Sequence, residues 1–340
     1  MTQRRLGYLL IVSVAVLGLA SWIVHRGQPR AESSGAAVLP GLTAALNEVT
    51  EVRLSGAGGA HTTIDKGAQR WIVRERGYPA DTGKLRKLLI DLGNLESVAR
   101  KTRVARNYPI LGVQNVTSPN AGGARIDVVT PARTWSLIVG HSADGNDCYV
   151  RVVDHKQSLL ASPLVRVDVK SAQWLAPVIV DLKPSRVSRI EERPGRGPGF
   201  VVFRARAGQS DFTVDGIPRG RRLKSPDAAD DMAGALSNLT LSDVREATPP
   251  PKDTRLSHAV FKTFGGLEVD VEGYQAGKGG KHFIEVTSRA SAPKAGPEAA
   301  RINARVHGWA YQIPDYRYQE IFKPLSGLLA PLPHHGRAHK

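Results

Sequence analysis

Cysteine is almost absent: Cys148 is the single thiol in 340 residues. That scarcity excludes an intramolecular disulfide framework and a cysteine-ligated zinc site, since each needs at least two thiols. The chain also lacks a Gly-x-Ser-x-Gly nucleophile elbow, a His-Glu-x-x-His zinc helix and a Walker loop, the local signatures of serine hydrolases, zinc proteases and P-loop nucleotidases. No reading element or aromatic stacking platform for nucleic acid is visible. Gly 34 and Pro 22 follow no fixed period, which removes collagen-like and low-complexity classes and leaves turns and linkers as their use.

What remains is ordinary globular material, with 41% hydrophobic and 23% charged residues, enough to bury a core. The length favours two domains, or one plus an anchor. Lys plus Arg number 47 against 31 Asp plus Glu, a formal +16, and such a surface attracts polyanions. The cations are spread along the chain, with local runs at Arg100, Lys101, Arg103 and Arg106 and at Arg219, Arg221, Arg222 and Lys224. Either run can be a solvated loop or helix end, or a contact with lipid headgroups or an anionic glycan. The second run, just ahead of an expected helix, is the candidate anion contact.

Leu6 to Val24 is charge-free and as a helix would span roughly 28 Å, enough to cross a bilayer. Arg4 and Arg5 precede it, and Trp22, His25 and Arg26 mark its far end. The run is longer than a signal-peptide core, and Gly18-Leu19-Ala20 is a weak cleavage site, which favours an uncleaved anchor. Charge flanks nearly balance, so orientation rests on the short N-terminal tail. The expected order is a cytoplasmic tail (1–5), a transmembrane anchor (6–24) and a flexible Gly/Ala/Ser/Pro tether (25–41).

Beyond the tether a weak internal repeat is legible. Asp81 can cap a helix whose stripe is Leu85, Leu88, Leu89, Leu92 and Leu95. Ser225, followed by Pro226, can cap another with Ala229, Met232, Ala233, Leu236 and Leu239. Each stripe residue lies 144 positions after its counterpart, and Asn94 recurs as Asn238 within Leu-x-Asn-Leu. Alternating segments flank both: Val49–Leu54, Thr62–Asp65 and Trp71–Arg74 before the first, Val187–Glu191, Phe200–Arg204 and Phe212–Val214 before the second. Further alternation runs through Ile126–Val128, Trp135–Val139, Tyr149–Val152, Val260, Leu267–Val271 and Phe283–Val286. The fold class expected is therefore α+β: an N-terminal transmembrane helix and two repeated units (42–182 and 184–330), each an antiparallel sheet packed with a helix. A last helix begins near Asp315, interrupted by Pro324, and residues 331–340 form a disordered tail.

The weaker motifs resolve into turns. Gly273 to Lys278 has short glycine spacing and Gly279 where a phosphate loop needs Ser or Thr, so it reads as a hairpin; Gly56 to Gly59 reads as a turn between strands. Asp144 to Asp147 reads as a hairpin tip rather than a calcium loop, and His334, His335 and His339 lack carboxylate support for a metal. Cys148 opens a strand as a small apolar thiol. No catalytic, cofactor or metal residues are assigned.

Trp71-Ile72-Val73, Tyr78-Pro79-Ala80-Asp81, the leucine helix and Trp309-Ala310-Tyr311-Gln312-Ile313-Pro314 together resemble a bacterial family of domains of unknown function, encoded near the auxiliary component of gliding-motility-type ABC transporters. The resemblance covers most of 42–330, in two tandem copies. It implies a membrane-anchored protein, single-pass in the inner membrane with its domains on the periplasmic side. It transfers no catalytic residue. The function expected is a non-enzymatic accessory or scaffold subunit of an envelope assembly, with an ABC transporter complex as partner and without nucleic acid, cofactor or identified small-molecule substrate. The alternative is a binding module for an anionic envelope polymer or lipid, and an unrecognised hydrolase stands behind both.

Overall fold

Alternation of apolar and polar residues over five to ten positions is the dominant pattern of the chain, and it folds as antiparallel sheet. In a computed structural model, residues 35–250, 254–276 and 280–332 are described. The chain divides into two compact units, Met1–Ala60 with Arg86–Val167, and His61–Leu85 with Asp168–Lys340. Strands are numbered along the whole chain.

In the first unit the strands are β1 (Ala36–Ala37), β2 (Glu51–Ser55), β6 (Glu96–Arg100), β7 (Ala124–Val129), β8 (Thr134–Ser142), β9 (Cys148–Val152) and β10 (Ser158–Ser162). They lie in the order β1-β6-β10-β9-β8-β7-β2, with antiparallel neighbours. Register places Val52, Leu54, Ile126, Val128, Trp135, Leu137, Val139, Cys148 and Val150 on one face, and all are buried. The opposite face carries a smaller cluster of Tyr108, Val113 and Ile138. Its neighbour Arg151 is 5% exposed. That guanidinium is satisfied by neutral acceptors alone, the carbonyls of Val113 (2.8 Å) and His155 (3.2 Å) and Oδ1 of Asn115 (2.5 Å), so its charge is held by hydrogen bonds.

The second unit contains a three-strand meander, β3 (His61–Lys66), β4 (Trp71–Val73) and β5 (Tyr78–Pro79), and a two-strand pair, β11 (Val178–Val180) with β15 (Leu239–Thr240). Its main sheet has the order β14-β13-β12-β17-β18-β19-β20-β16. These strands are β12 (Val187–Arg193), β13 (Phe200–Phe203), β14 (Thr213–Asp215), β16 (Asp243–Glu246), β17 (Ser257–Thr263), β18 (Leu267–Ala276), β19 (Lys281–Ala290) and β20 (Trp309–Gln312). One face presents Ile190, Phe261, Val269, Val271, Ile284 and Tyr311, all buried. The other carries ion pairs, His258–Asp270 at 2.7 Å and Lys262–Glu191 at 2.8 Å among them. The motifs Tyr78-Pro79 and Trp309-Ala310-Tyr311 meet here: the Tyr78 ring lies edge-on to Trp309 (5.1 Å) and to Tyr311 (6.0 Å). Burial raises the pKa of both tyrosine hydroxyls.

Three helices, two of about three turns and one of about two, complete the framework: α1 (Thr82–Gly93), α2 (Gly296–Val306) and α3 (Asp315–Ile321). Asp81 caps α1, its Oδ1 accepting the Lys84 amide at 3.0 Å, and the expected stripe Leu85, Leu88, Leu89, Leu92 and Leu95 is buried. Pro324 ends the last helical stretch, separating α3 from a 3-10 turn at Leu325–Gly327. Helix α2, not foreseen, packs across β18 and β19. Asn303 clamps it there, bonding to both the amide (2.8 Å) and the carbonyl (2.7 Å) of Ser288.

The α+β expectation is overturned: the molecule is mostly β-sheet, with 22% helix. The second copy of the helix is absent as such. Ser225 to Ser237 instead makes successive i to i+3 bonds, Ala228 to Ser225, Asp230 to Asp227, Met232 to Ala229, Ala235 to Met232 and Ser237 to Gly234, with a 3-10 segment at Asp230–Gly234. The composition explains it. Asp227, Asp230, Asp231 and Gly234 are poor helix formers, and Asp230 turns its Oδ1 to the Phe212 amide (2.9 Å). The stripe residues are nonetheless buried, so burial spacing was right and helix type wrong. The expected transmembrane anchor at 6–24, with the 1–5 tail, lies outside the described residues, as does the end of the tail from 333. Among the described residues no helix is long and apolar enough to cross a membrane.

Candidate anion-binding site

The buried face of the first unit's sheet does not end cleanly. At the end of the face carrying Trp135, β10 contributes Leu159, and β6 contributes Arg100 directly opposite it. Val152 of β9 lies opposite Leu137. A cleft of about 640 Å³ opens there, lined by Val38 to Pro40, Ser97, Arg100, Arg103, Arg133, Trp135, Val152 to His155 and Leu159. Small residues leave the room: Ser97 is paired with Ala36 on one side and Ala161 on the other. The register shift between Leu160 and Ala161 marks a β-bulge in the β6–β10 pair, which bends the strand at this point.

Three guanidiniums rim the cleft. Arg133 lies over the Trp135 ring at 4.3 Å, and the indole beneath, 5% exposed, is fixed by donation from Nε1 to the Pro40 carbonyl at 3.0 Å. Arg100 and Arg103 bracket Thr102, whose backbone is locked to Ser158: the Thr102 amide donates to Ser158 Oγ (3.0 Å) and that hydroxyl donates to the Thr102 carbonyl (2.8 Å). The turn carrying Asp154 and His155 is pinned by Arg151 on the His155 carbonyl (3.2 Å) and by the Tyr108 hydroxyl on the Lys156 carbonyl (2.5 Å). Among the described residues neither Arg100, Arg103 nor Arg133 has a carboxylate at ion-pair distance. Asp154 is the one acidic side chain lining the space.

Ser97 adds a buried donor: it is 3% exposed and its hydroxyl has no hydrogen-bond partner. Desolvated hydroxyls are normally paired. An oxyanion in the cleft would supply that acceptor while neutralising the guanidiniums, and the apolar floor of Val38, Leu39, Trp135 and Leu159 suits a ligand with an uncharged body. Another hydroxyl here, Ser136, donates to Asp127 (2.5 Å), which Arg125 holds at 2.9 to 3.0 Å; no imidazole takes part in that chain.

The sequence pointed elsewhere first. Arg219, Arg221, Arg222 and Lys224 lie in the second unit, where Arg221 donates to the Ala330 carbonyl (2.8 Å). Backbone bonds tie the segment to its neighbour, from the Lys224 amide to Leu328 and from the Ala330 amide to Arg222. Arg219, Arg222 and Lys224 project into solvent. The run at Arg100 to Arg106 was visible, but its partner Arg133, thirty residues on, was not. Only strand register joins them.

The Asp144 to Asp147 tip and the Cys148 strand start take the forms expected. Asp144 to Asp147 caps the β8–β9 hairpin, with the Ala143 amide on the Asp147 carbonyl (2.9 Å) and Gly145 at φ 74°. Cys148 opens β9, fully buried, and burial raises its thiol pKa. Among the described residues no cluster of three or more His, Cys, Asp or Glu could hold a metal.

Residues 45–258 match the domain of unknown function DUF4340. The chain belongs to this family. The DUF4340 match takes in every charged residue of the cleft, from Arg100 to His155, and runs on through β12 and β13 into β17. No curated protein and no solved structure matches the chain.

Proposed function

We propose that this DUF4340 protein is a non-enzymatic binding subunit of the bacterial envelope that holds an anionic group of a polymer or lipid in the first unit's cleft. One observation carries the reading: three guanidiniums without carboxylate partners surround a buried, unpaired Ser97 hydroxyl over an apolar floor. The reading places the protein at the inner membrane, attached through the charge-free run Leu6 to Val24, and its support there is the sequence alone. An ABC-type transport complex is the partner assembly that the family resemblance suggests, and crosslinking in membranes with identification of the captured chains tests that arm.

The cleft is tested with the purified full chain and two probes, heparin as a soluble polyanion and vesicles of phosphatidylglycerol against phosphatidylcholine. Binding should weaken as salt rises. Exposed charge contacts are worth up to about 1 kcal/mol each, so R100Q/R103Q/R133Q should lower affinity on the order of tenfold or more. An affinity and salt slope identical to the parent protein would remove the cleft from the account.

A further inference from the structure

The second unit has a cleft of its own that the family match does not explain. Its volume is about 540 Å³, and Arg196, Arg255, Ser257, Gln275, His282 and Tyr318 are among its lining residues. Arg196 sits in the Pro194-Gly195-Arg196-Gly197-Pro198 loop after β12, and Arg255 just before β17, so the two guanidiniums come from separate loops. Neither has a carboxylate at ion-pair distance among the described residues.

Ser257 is the centre of this site. It is 6% exposed, and its Oγ accepts two hydrogen bonds, from the Gly195 amide (3.0 Å) and from the Tyr318 hydroxyl (3.2 Å). A hydroxyl oxygen has two lone pairs and one proton. With both lone pairs engaged, the proton is the group left to donate. The surroundings are built to hold that arrangement. Tyr318 is stacked on the His282 ring at 4.1 Å and against Phe322 at 4.6 Å. His282 is anchored through Nδ1 to Asp315 (2.8 Å) and lies 2.7 Å through Nε2 from Gln275. Gly273 makes the seat, since a Cβ there would come within 2.2 Å of Phe322 and 2.8 Å of Tyr318.

We propose that this second cleft binds a phosphate group, with the Ser257 hydroxyl donating to one oxygen and Arg196 and Arg255 neutralising the others. Donors on a strand and on two loops approach from different elements, which suits an oxyanion with more than two oxygens better than a planar carboxylate. The site is independent of the first unit's cleft.

The test is a titration of the full chain with inorganic phosphate, glycerol 3-phosphate, a short-chain soluble phosphatidylglycerol and acetate, followed by calorimetry. The first-cleft variant R100Q/R103Q/R133Q serves as the background. Saturable binding of phosphate there, weakened tenfold or more by adding R196Q/R255Q, is the expected result, with acetate at least tenfold weaker than phosphate. The monoester and diester arms tell a free phosphate from a lipid headgroup. S257A also removes the acceptor of the Gly195 amide, so Y318F is paired with it: Y318F frees one lone pair of Ser257, keeps its proton and should retain phosphate binding, whereas S257A should lose it. Phosphate affinity unchanged by R196Q/R255Q, or acetate binding as tightly as phosphate, overturns the proposal. Heparin binding unchanged by R100Q/R103Q/R133Q, with phosphate binding intact, would count against the first cleft alone.

Discussion

Glu192 offers the sharpest test of the second unit's core. It is 1% exposed and neither carboxylate oxygen has a hydrogen-bond partner. Its cross-strand neighbours are Phe200 on β13 and Ala259 on β17, so nothing replaces the water it loses, and burial pushes its carboxyl well above the usual range. Between the ordinary carboxylate pKa and this raised value, the folded chain holds a proton that the unfolded chain has released. Stability therefore falls as pH rises through that window, by up to a tenfold drop in the folding constant per pH unit, and the penalty is absent below the unfolded pKa. Glu192→Gln keeps the shape and fixes the neutral state. Urea unfolding of both proteins from pH 4 to 8, followed by tryptophan fluorescence, should give matching midpoints at the acid end and a widening advantage for the variant towards pH 8. Subtracting one curve from the other cancels the remaining carboxylates. A difference that does not change with pH would show that Glu192 ionises in the folded state as freely as in the unfolded one.

Two further outcomes follow from packing. Leu92→Ala, at a fully buried position of α1, should cost about 2–5 kcal/mol in chemical denaturation, and a cost under about 1 kcal/mol would show that the stripe does not carry the packing assigned to it. Gly273→Ala puts a methyl group into the Phe322 ring and should destabilise by about 1–3 kcal/mol while weakening phosphate binding, because the same residues seat Tyr318; unchanged stability would mean that α3 shifts freely.

Strands were legible because their signal is local. Val187–Arg193, Leu267–Ala276 and the β7–β8 hairpin alternate clearly enough that period alone places them, and Asp81 with five leucines fixes α1. The short strands β1, β5, β6 and β10 carry no such pattern. Ser97 and Ala161 are small, and Arg100 breaks the apolar run just where the cleft needs it. The equal spacing of the two stripes was also misleading, since apolar burial every three to four residues satisfies consecutive 3-10 turns as well as an α-helix. Helix α2 was missed for the opposite reason: Ala295, Ala299, Ile302 and Val306 make its buried stripe, but alanine is too small to stand out as apolar against the charged residues between.

Charge shows the same limit most clearly. A run such as Arg219 to Lys224 is conspicuous because its members are adjacent, yet adjacency on an exposed segment disperses guanidiniums into solvent, and Arg221 is already spent on a backbone carbonyl. Arg100 and Arg133 are far apart in sequence and inconspicuous singly. They converge because β6 and β8 are separated by two strands in register and because the residues between them, Val152 and Leu159, extend one apolar face to its edge. Arg100 and Arg133 are exposed at the end of a buried face and have no carboxylate at ion-pair distance among the described residues, so their charge is open to an incoming anion. The site is thus a property of the sheet's register, and any variant that shifts the β6–β10 bulge by one residue should disperse it while leaving every arginine in place.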